Sequence, residues 1–319
     1  MSAPYLGIEI GGTKLQFGVG TGQSGELLTL IRRDVDRGAG AAGILRQIAE
    51  VAPGLVAEYA VAAVGIGFGG PVDAVAGRVT RSNQVAGWEN MPLVEWCTEL
   101  LGIPAVLAND CDCAALAEAR YGAGRGAATV LYVTVGTGIG GGLVVGDKLL
   151  GRGRPAVAEI GHLRPGTDAA TPADTVEAVA AGPAIAQAVR RRLGEDAVPP
   201  EARQDLLRRC GDDPERLTAK VVAEAAAGGN AIATAVLQHA IQTLGWAIAQ
   251  ALTLTAADVV VVGGGVSLIG EAGFFEPLRE AVAGYVFAPL RGSYRVVPAG
   301  LGEGVVVCGA VGLAPQDRG

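Results

Sequence analysis

The hydrophobic and polar positions set a repeating pattern from the first residues. Leu6, Ile8 and Ile10 alternate with Gly7 and Glu9, the period of two that marks a strand. Gly11-Gly12 makes a tight turn, and Thr13-Lys14 leads into a second apolar run. A strand–turn–strand unit is therefore predicted over residues 5–20. Residues 41–50 carry helical spacing, and 61–68 read as a buried strand ending in Gly69-Gly70-Pro71. A short strand is predicted over 75–80, a polar loop over 81–90, an amphipathic helix over 92–101 stopped by Gly102, and a strand over 104–108. Asn109-Asp110 opens a helix that runs to about Tyr121. Alternation of strands and helices predicts a mostly parallel sheet covered by helices.

Beyond a glycine-rich joint at 122–126, residues 130–146 repeat the opening pattern of strand, Gly-Thr turn and strand. Gly136-x-Gly138-x-x-Gly141 has the spacing of a dinucleotide fingerprint, but Leu143-Val144-Val145 continues as a strand where that fingerprint needs a helix. Two such hairpins suggest a duplicated fold with a nucleotide clamped by both halves. Helices are predicted over 175–193, 201–210, 218–227 and 231–254. Val259–Val262 are four valines forming a strand that opens into Gly263-Gly264-Gly265 before a helix, where open α/β sheets usually bind ligands. A last strand is expected over 294–298 and a terminal helix over 304–313.

Composition narrows the possibilities. The chain has 319 residues, long enough for two lobes with separate cores; half are hydrophobic but only 4% aromatic, so the cores must be largely aliphatic. Its 50 glycines cluster after strand-like runs, which points to tight turns around ligands. A net charge of −7 and a pI near 5.0, with no basic stripe, argue against a nucleic-acid surface. No apolar run reaches membrane-span length, and the N-terminus moves straight into a strand, with no signal peptide expected. Five cysteines without a framework of spacings fit a reduced, cytoplasmic protein.

The candidate chemistry lies in the turns. Gly11-Gly12 leaves backbone N–H groups open to a phosphate, with the Thr13 hydroxyl and the Lys14 ammonium beside them; an ordinary glycine hairpin is the competing reading. Of 25 basic residues only Lys14, Lys148 and Lys220 are lysines, so a compact ammonium at the turn stands out. Walker A spacing is absent. Asn109-Asp110 places a carboxylate that could serve as a base, or merely a cap on the following helix. Glu159 and His162, three apart, can share one face of a helical turn. His239, the other histidine, lies inside a predicted helix.

In this order, Gly11-Gly12-Thr13-Lys14, Gly69-Gly70-Pro71, Asn109-Asp110, Gly136-Thr137-Gly138-Ile139-Gly140-Gly141, Glu159-x-Gly161-His162 and Gly263-Gly264-Gly265-Val266-Ser267 resemble the motifs of the ROK sugar kinases, within the actin-like ATPase superfamily. The resemblance spans nearly the whole chain. It implies an α/β fold of two ribonuclease H-like lobes with a ligand cleft between them. The first would cover 1–121, completed by about 304–319, and the second 122–303 with a helical insertion. It implies an ATP-dependent hexose kinase acting on a primary hydroxyl, with glucose as leading substrate and Asp110 as the base. Sugar contacts fall on Asn83, Asn109, Asp110, Glu159, His162 and Glu177. Gly11, Gly12, Thr13, Lys14, Thr137 and Gly138 would face the phosphates, and Gly264 and Gly265 would let the adenosine approach the backbone. Magnesium is implied by the reaction, as is assembly as a homodimer or homotetramer by the family.

Two departures from the family pattern stand out. Glu9 occupies the position where the superfamily usually has an aspartate that holds the metal through water. The stretch from His162 to Glu177 is shorter than in the family and lacks the cysteines that join its histidine in binding zinc; no zinc is therefore expected, and the sugar ligand Glu177 is matched across this shortened segment. Fructokinase and N-acetylhexosamine kinase activities remain as alternatives, as does a catalytically silent sugar-binding regulatory protein. A sugar-responsive repressor of this family would carry a winged helix ahead of the first strand, which here starts by Tyr5.

Overall fold

The computed structural model describes residues 3–82, 84–151, 154, 156–195 and 199–314. The first strands are β1 (Tyr5–Ile10), β2 (Lys14–Gly20) and β3 (Thr29–Asp34), followed by helix α1 (Gly40–Tyr59). Next come β4 (Val64–Phe68), the short β5 (Val72–Asp73) and β6 (Arg78–Val79), α2 (Leu93–Leu101), β7 (Ala105–Asn109) and α3 (Asp110–Tyr121). The chain continues through β8 (Thr129–Val135), β9 (Ile139–Val145) and β10 (Lys148–Leu149) to α4 (Val176–Ala180), α5 (Gly182–Leu193), α6 (Pro200–Arg209), α7 (Ala219–Ala227) and α8 (Ala231–Thr255). It ends with β11 (Val259–Gly263), α9 (Glu276–Tyr285), β12 (Arg295–Pro298) and α10 (Val305–Leu313).

Two five-stranded sheets result, ordered β3-β2-β1-β4-β7 and β10-β9-β8-β11-β12. The expectation of mostly parallel sheets does not hold. In the first sheet β1 runs parallel to β4, and β4 to β7, but β2 is antiparallel to both β1 and β3. The reason is local: a two-glycine turn can only return the chain antiparallel to the strand it left. The single strand expected over 75–80 is instead the two-residue hairpin β5–β6. A continuous helix over 175–193 is also not formed. It breaks at Ala181, whose φ of −69° and ψ of 154° are extended, so that Gly182 N–H can bond the Gly136 carbonyl at 2.8 Å.

The structure divides into two compact units. One comprises 1–132, 142–158 and 299–319, the other 133–141 and 159–298. The position 121/122 thus falls inside the first unit. Helix α10 belongs to that unit and lies directly on the backbone of its sheet. A Cβ on Gly65 in β4 would collide with the Ala310 carbonyl oxygen, and one on Gly7 in β1 would lie 2.5 Å from the Val307 carbonyl oxygen. These glycines replace side-chain packing with backbone contact. Gly65→Ala should therefore cost about 1–3 kcal/mol of stability, read as a lowered urea midpoint; an unchanged midpoint would mean that α10 can shift freely.

On the other side of the same sheet α1 lays down Ala41, Ile44, Ile48, Ala52 and Leu55, a buried stripe at helical spacing. Among the described residues no helix is long and apolar enough to cross a membrane.

Candidate active site

In the first unit, strand register builds the site. Ile10, Phe68 and Asn109 are aligned across β1, β4 and β7. The residues that follow each strand, Gly11-Gly12, Gly69-Gly70 and Asp110, therefore meet at one edge, the carboxyl ends of parallel strands where α/β folds bind ligands. Gly69 N–H bonds the Ile10 carbonyl at 2.8 Å, closing the turn against β1. A Cβ on Gly69 would lie 3.4 Å from Asp110 Oδ2. Glycine keeps that approach open.

Cap and carboxylate are separate residues. Asn109 is the N-cap of α3: its Oδ1 accepts the Cys111 N–H at 2.8 Å, while its Nδ2 donates to the Gly70 carbonyl at 3.0 Å. Asp110 is the first helical residue, and its Oδ1 accepts the same Cys111 N–H at 2.8 Å. Burial raises its pKa above the ordinary value, against the opposing effect of hydrogen bonds from Cys111 and Asn109. A carboxylate at a helix N-terminus that is nevertheless driven toward its neutral form is a stronger base than a surface aspartate.

Glu9 is buried in β1 and paired across the strands with Gln16. Its Oε1 lies 3.1 Å from the Lys14 ammonium, which also donates to Gln16 Oε1 at 3.4 Å and to the Glu303 carbonyl at 3.2 Å. Burial raises the Glu9 pKa to about 7, with Lys14 pulling it down and the charges of Asp110 and Glu303 pushing it up. The turn itself is held by Arg37, whose Nε donates to the Gly12 carbonyl at 2.8 Å, and a Cβ on Gly12 would collide with the Gln84 side chain. Thr13 is exposed. Asn83 lies outside the described residues.

The folded form of Glu9 holds its proton up to about pH 7, whereas the unfolded chain releases it near 4.5. Stability must therefore fall as pH rises through that window, by about 3 kcal/mol in total. Glu9→Gln should gain on the wild type by about 2.5 kcal/mol between pH 5 and pH 8 in urea titrations. A pH-independent difference between the two would contradict a protonated Glu9.

The second unit is organised around the β8–β9 turn. Gly136 N–H bonds the Gly138 carbonyl at 2.9 Å, and Thr137 at the tip is exposed. Glu177 in α4 is half-buried, and its Oε2 accepts the Ile139 N–H at 2.8 Å; a Cβ on Gly138 would sit 2.6 Å from that oxygen. Glu159 and His162 bound a single 3-10 turn over Ile160–His162, closed by His162 N–H to the Glu159 carbonyl at 3.0 Å, and both are exposed. Gly161 is pressed onto the Ile139 carbonyl, which sets this turn against the hairpin.

After β11, Gly264 adopts φ +88°, and a Cβ there would lie 2.5 Å from the Val135 carbonyl oxygen. Ser267 Oγ donates back to the Gly264 carbonyl at 2.7 Å. Gly265 is exposed, with open space where its Cβ would be. It lines a cavity of about 990 Å³ within this unit, formed by α7, α8 and the segment after β11, including Ala223, Leu237, Ile241 and Ile269.

Sequence reasoning missed four supporting residues. Gln16 was detectable as the one uncharged polar side chain in an apolar strand facing Glu9; Arg37, Gln84 and Glu303 reach the turn from elsewhere and leave no local signal. All five cysteines are buried, and among the described residues no group of three or more His, Cys, Asp or Glu is arranged to hold a metal ion.

A mixed α/β fold with this order of turns defines a class, and comparison with known proteins agrees. The ROK family model matches residues 5–317, and the chain belongs to that family. A glucokinase of Thermotoga maritima is 33% identical over 98% of both chains. The crystal structure of a ROK family glucokinase from Streptomyces griseus in complex with glucose and AMPPNP is 31% identical, with a TM-score of 0.81 over 98% of this chain and all of the other. The fold is thus that of the actin-like ATPase sugar kinases. A ROK family transcriptional regulator, 21% identical, shares it with a TM-score of 0.79 over 98% of this chain and 77% of its own, so the fold serves both catalysts and regulators.

Proposed function

We propose that this chain is an ATP-dependent hexose kinase that phosphorylates a sugar primary hydroxyl, with glucose as the leading substrate. The observation that carries the reading is at the start of α3: Asn109 provides the N-cap, so the buried Asp110 carboxylate, which shares the Cys111 N–H through its Oδ1, is not needed as the cap and is placed to act as a base. The kinship with glucokinases supports the substrate class.

In this reading Asp110 takes the proton of the sugar hydroxyl as its oxygen attacks the γ-phosphorus, and the bond to the β-phosphate oxygen breaks to release ADP. Asn109 supports the position of Asp110, and Glu159, His162 and Glu177 are the further hydroxyl ligands that the family resemblance implies. Thr13 and Thr137 are phosphate contacts. The apolar cavity beside Gly265 has the size and lining for a nucleoside.

The charges of Asp110 and Glu303 both reach Glu9. Glu9 would hold a hydrated magnesium ion through water, and the ion would neutralise charge on the β- and γ-phosphates.

The test is coupled ADP release across glucose, mannose, fructose and N-acetylhexosamines. Glucose should give the highest kcat/KM. A higher value for fructose or an N-acetylhexosamine would reassign the substrate, and glucose binding by calorimetry without ADP release from any sugar would replace the kinase by a sugar-sensing regulator.

A further inference from the structure

Helix α3 carries a second carboxylate, Glu118, in its last turn. It is fully buried, and no cation pairs with it among the described residues. Its Oε1 accepts the N–H groups of Gly300 and Leu301, both at 2.9 Å, and its Oε2 accepts the Ala123 N–H at 2.8 Å. Its main-chain carbonyl takes the N–H groups of Gly122 at 3.2 Å and Gly124 at 3.0 Å. Five backbone donors from two separate segments thus converge on one residue. A Cβ on Gly122 would collide with Glu118 Oε2, so the chain can wrap the carboxylate only because glycine stands there.

This is an expensive arrangement. A buried carboxylate without a cation is costly even when hydrogen-bonded, and the last turn of a helix repels negative charge. What the carboxylate achieves is rigidity, because it accepts only, and a fork of backbone donors fixes both of its oxygens.

The helix so fixed begins at Asp110, two turns away, and is further clamped where the Cys113 carbonyl rests against Gly309 of α10. Gly300 and Leu301 lie just after the point, Ala299, at which the chain re-enters the first unit.

We propose that Glu118 is a positioning residue for phosphoryl transfer: by tying the C-terminal end of α3 to residues 122–124 and 300–301, it sets where the Asp110 carboxylate stands. This rests on Asp110 being the base. Displacement of a reacting group by about 1 Å can cost about 100-fold in rate.

The experiment is a double-mutant cycle of Glu118→Gln and Asp110→Asn, with kcat and KM for hexose and ATP. Glutamine keeps the volume but turns an amide NH₂ toward backbone donors. Glu118→Gln alone should lower kcat about 10–100-fold with both KM values within about twofold, and should cost nothing further in the Asp110→Asn background. Should Glu118→Gln fail to fold, Gly122→Ala, which presses on the same carboxylate while retaining it, takes its place with the same expectations. A wild-type kcat, or an equal loss in both backgrounds, would overturn the positioning role. Undiminished turnover of Asp110→Asn alone would instead overturn the base on which it rests.

Discussion

Asp110→Asn should lower turnover by about 10²–10⁴-fold while changing hexose affinity only slightly. The substitution keeps the shape of the side chain and an oxygen for the Cys111 N–H, and Asn109 holds the helix cap on its own account. Folding should therefore be nearly unaffected. What disappears is the group that accepts the hydroxyl proton. Because burial holds the Asp110 pKa above its ordinary value, the acid limb of kcat/KM in the wild type should lie above the usual aspartate range and vanish in the variant. Turnover of more than about a tenth of wild type, with calorimetry showing normal sugar binding, would reduce Asp110 to a structural residue.

Glu177→Ala should cost about 100-fold in kcat/KM, and the companion Glu177→Gln separates its causes. One carboxylate oxygen is committed to the Ile139 N–H behind the Gly136–Gly138 turn. Alanine leaves that N–H without its acceptor and loosens the turn, so KM for ATP should rise. Glutamine can keep the bond through its carbonyl oxygen, so KM for ATP should recover, while a hydroxyl ligand weakened by loss of charge leaves KM for the hexose elevated. A normal ATP KM in Glu177→Ala would remove the turn-anchoring role. A normal hexose KM in both variants would remove the residue from the sugar site.

Elements with a strong apolar period were the legible ones. β1, β2, β4, β8, β9 and β11 and the long helix α8 announce themselves because their buried faces leave a pattern in the sequence. β3 did not, since it is an edge strand whose Arg32, Arg33 and Asp34 are solvent-facing. The break between α4 and α5 has a local signal in Gly182-Pro183, because proline has no N–H to donate and disfavours helical backbone before it; the helical spacing on either side masked it, and the Gly182 N–H bonds the Gly136 carbonyl instead. At the site, the motif residues were readable as types, and only the hydrogen bonds show that Asn109 is the cap while Asp110, the first helical residue, shares the Cys111 N–H through its Oδ1. The anchoring of the β8–β9 turn by Glu177 and of α3 by Glu118 depends on partners far away in sequence, and no spacing rule reaches them.

The seating of α10 on bare backbone at Gly7 and Gly65 also dictates an order of events at the ribosome. The opening hairpin and β4 are made first, yet the surface they offer to α10 stays uncovered until α10 has been synthesised. Residues 159–298 form one uninterrupted stretch of the second unit and can mature while the earlier sheet still waits for its partner. A nascent chain stalled before Val305 would expose glycine-smoothed strands with nothing to cover them, a surface for chaperones or for aggregation.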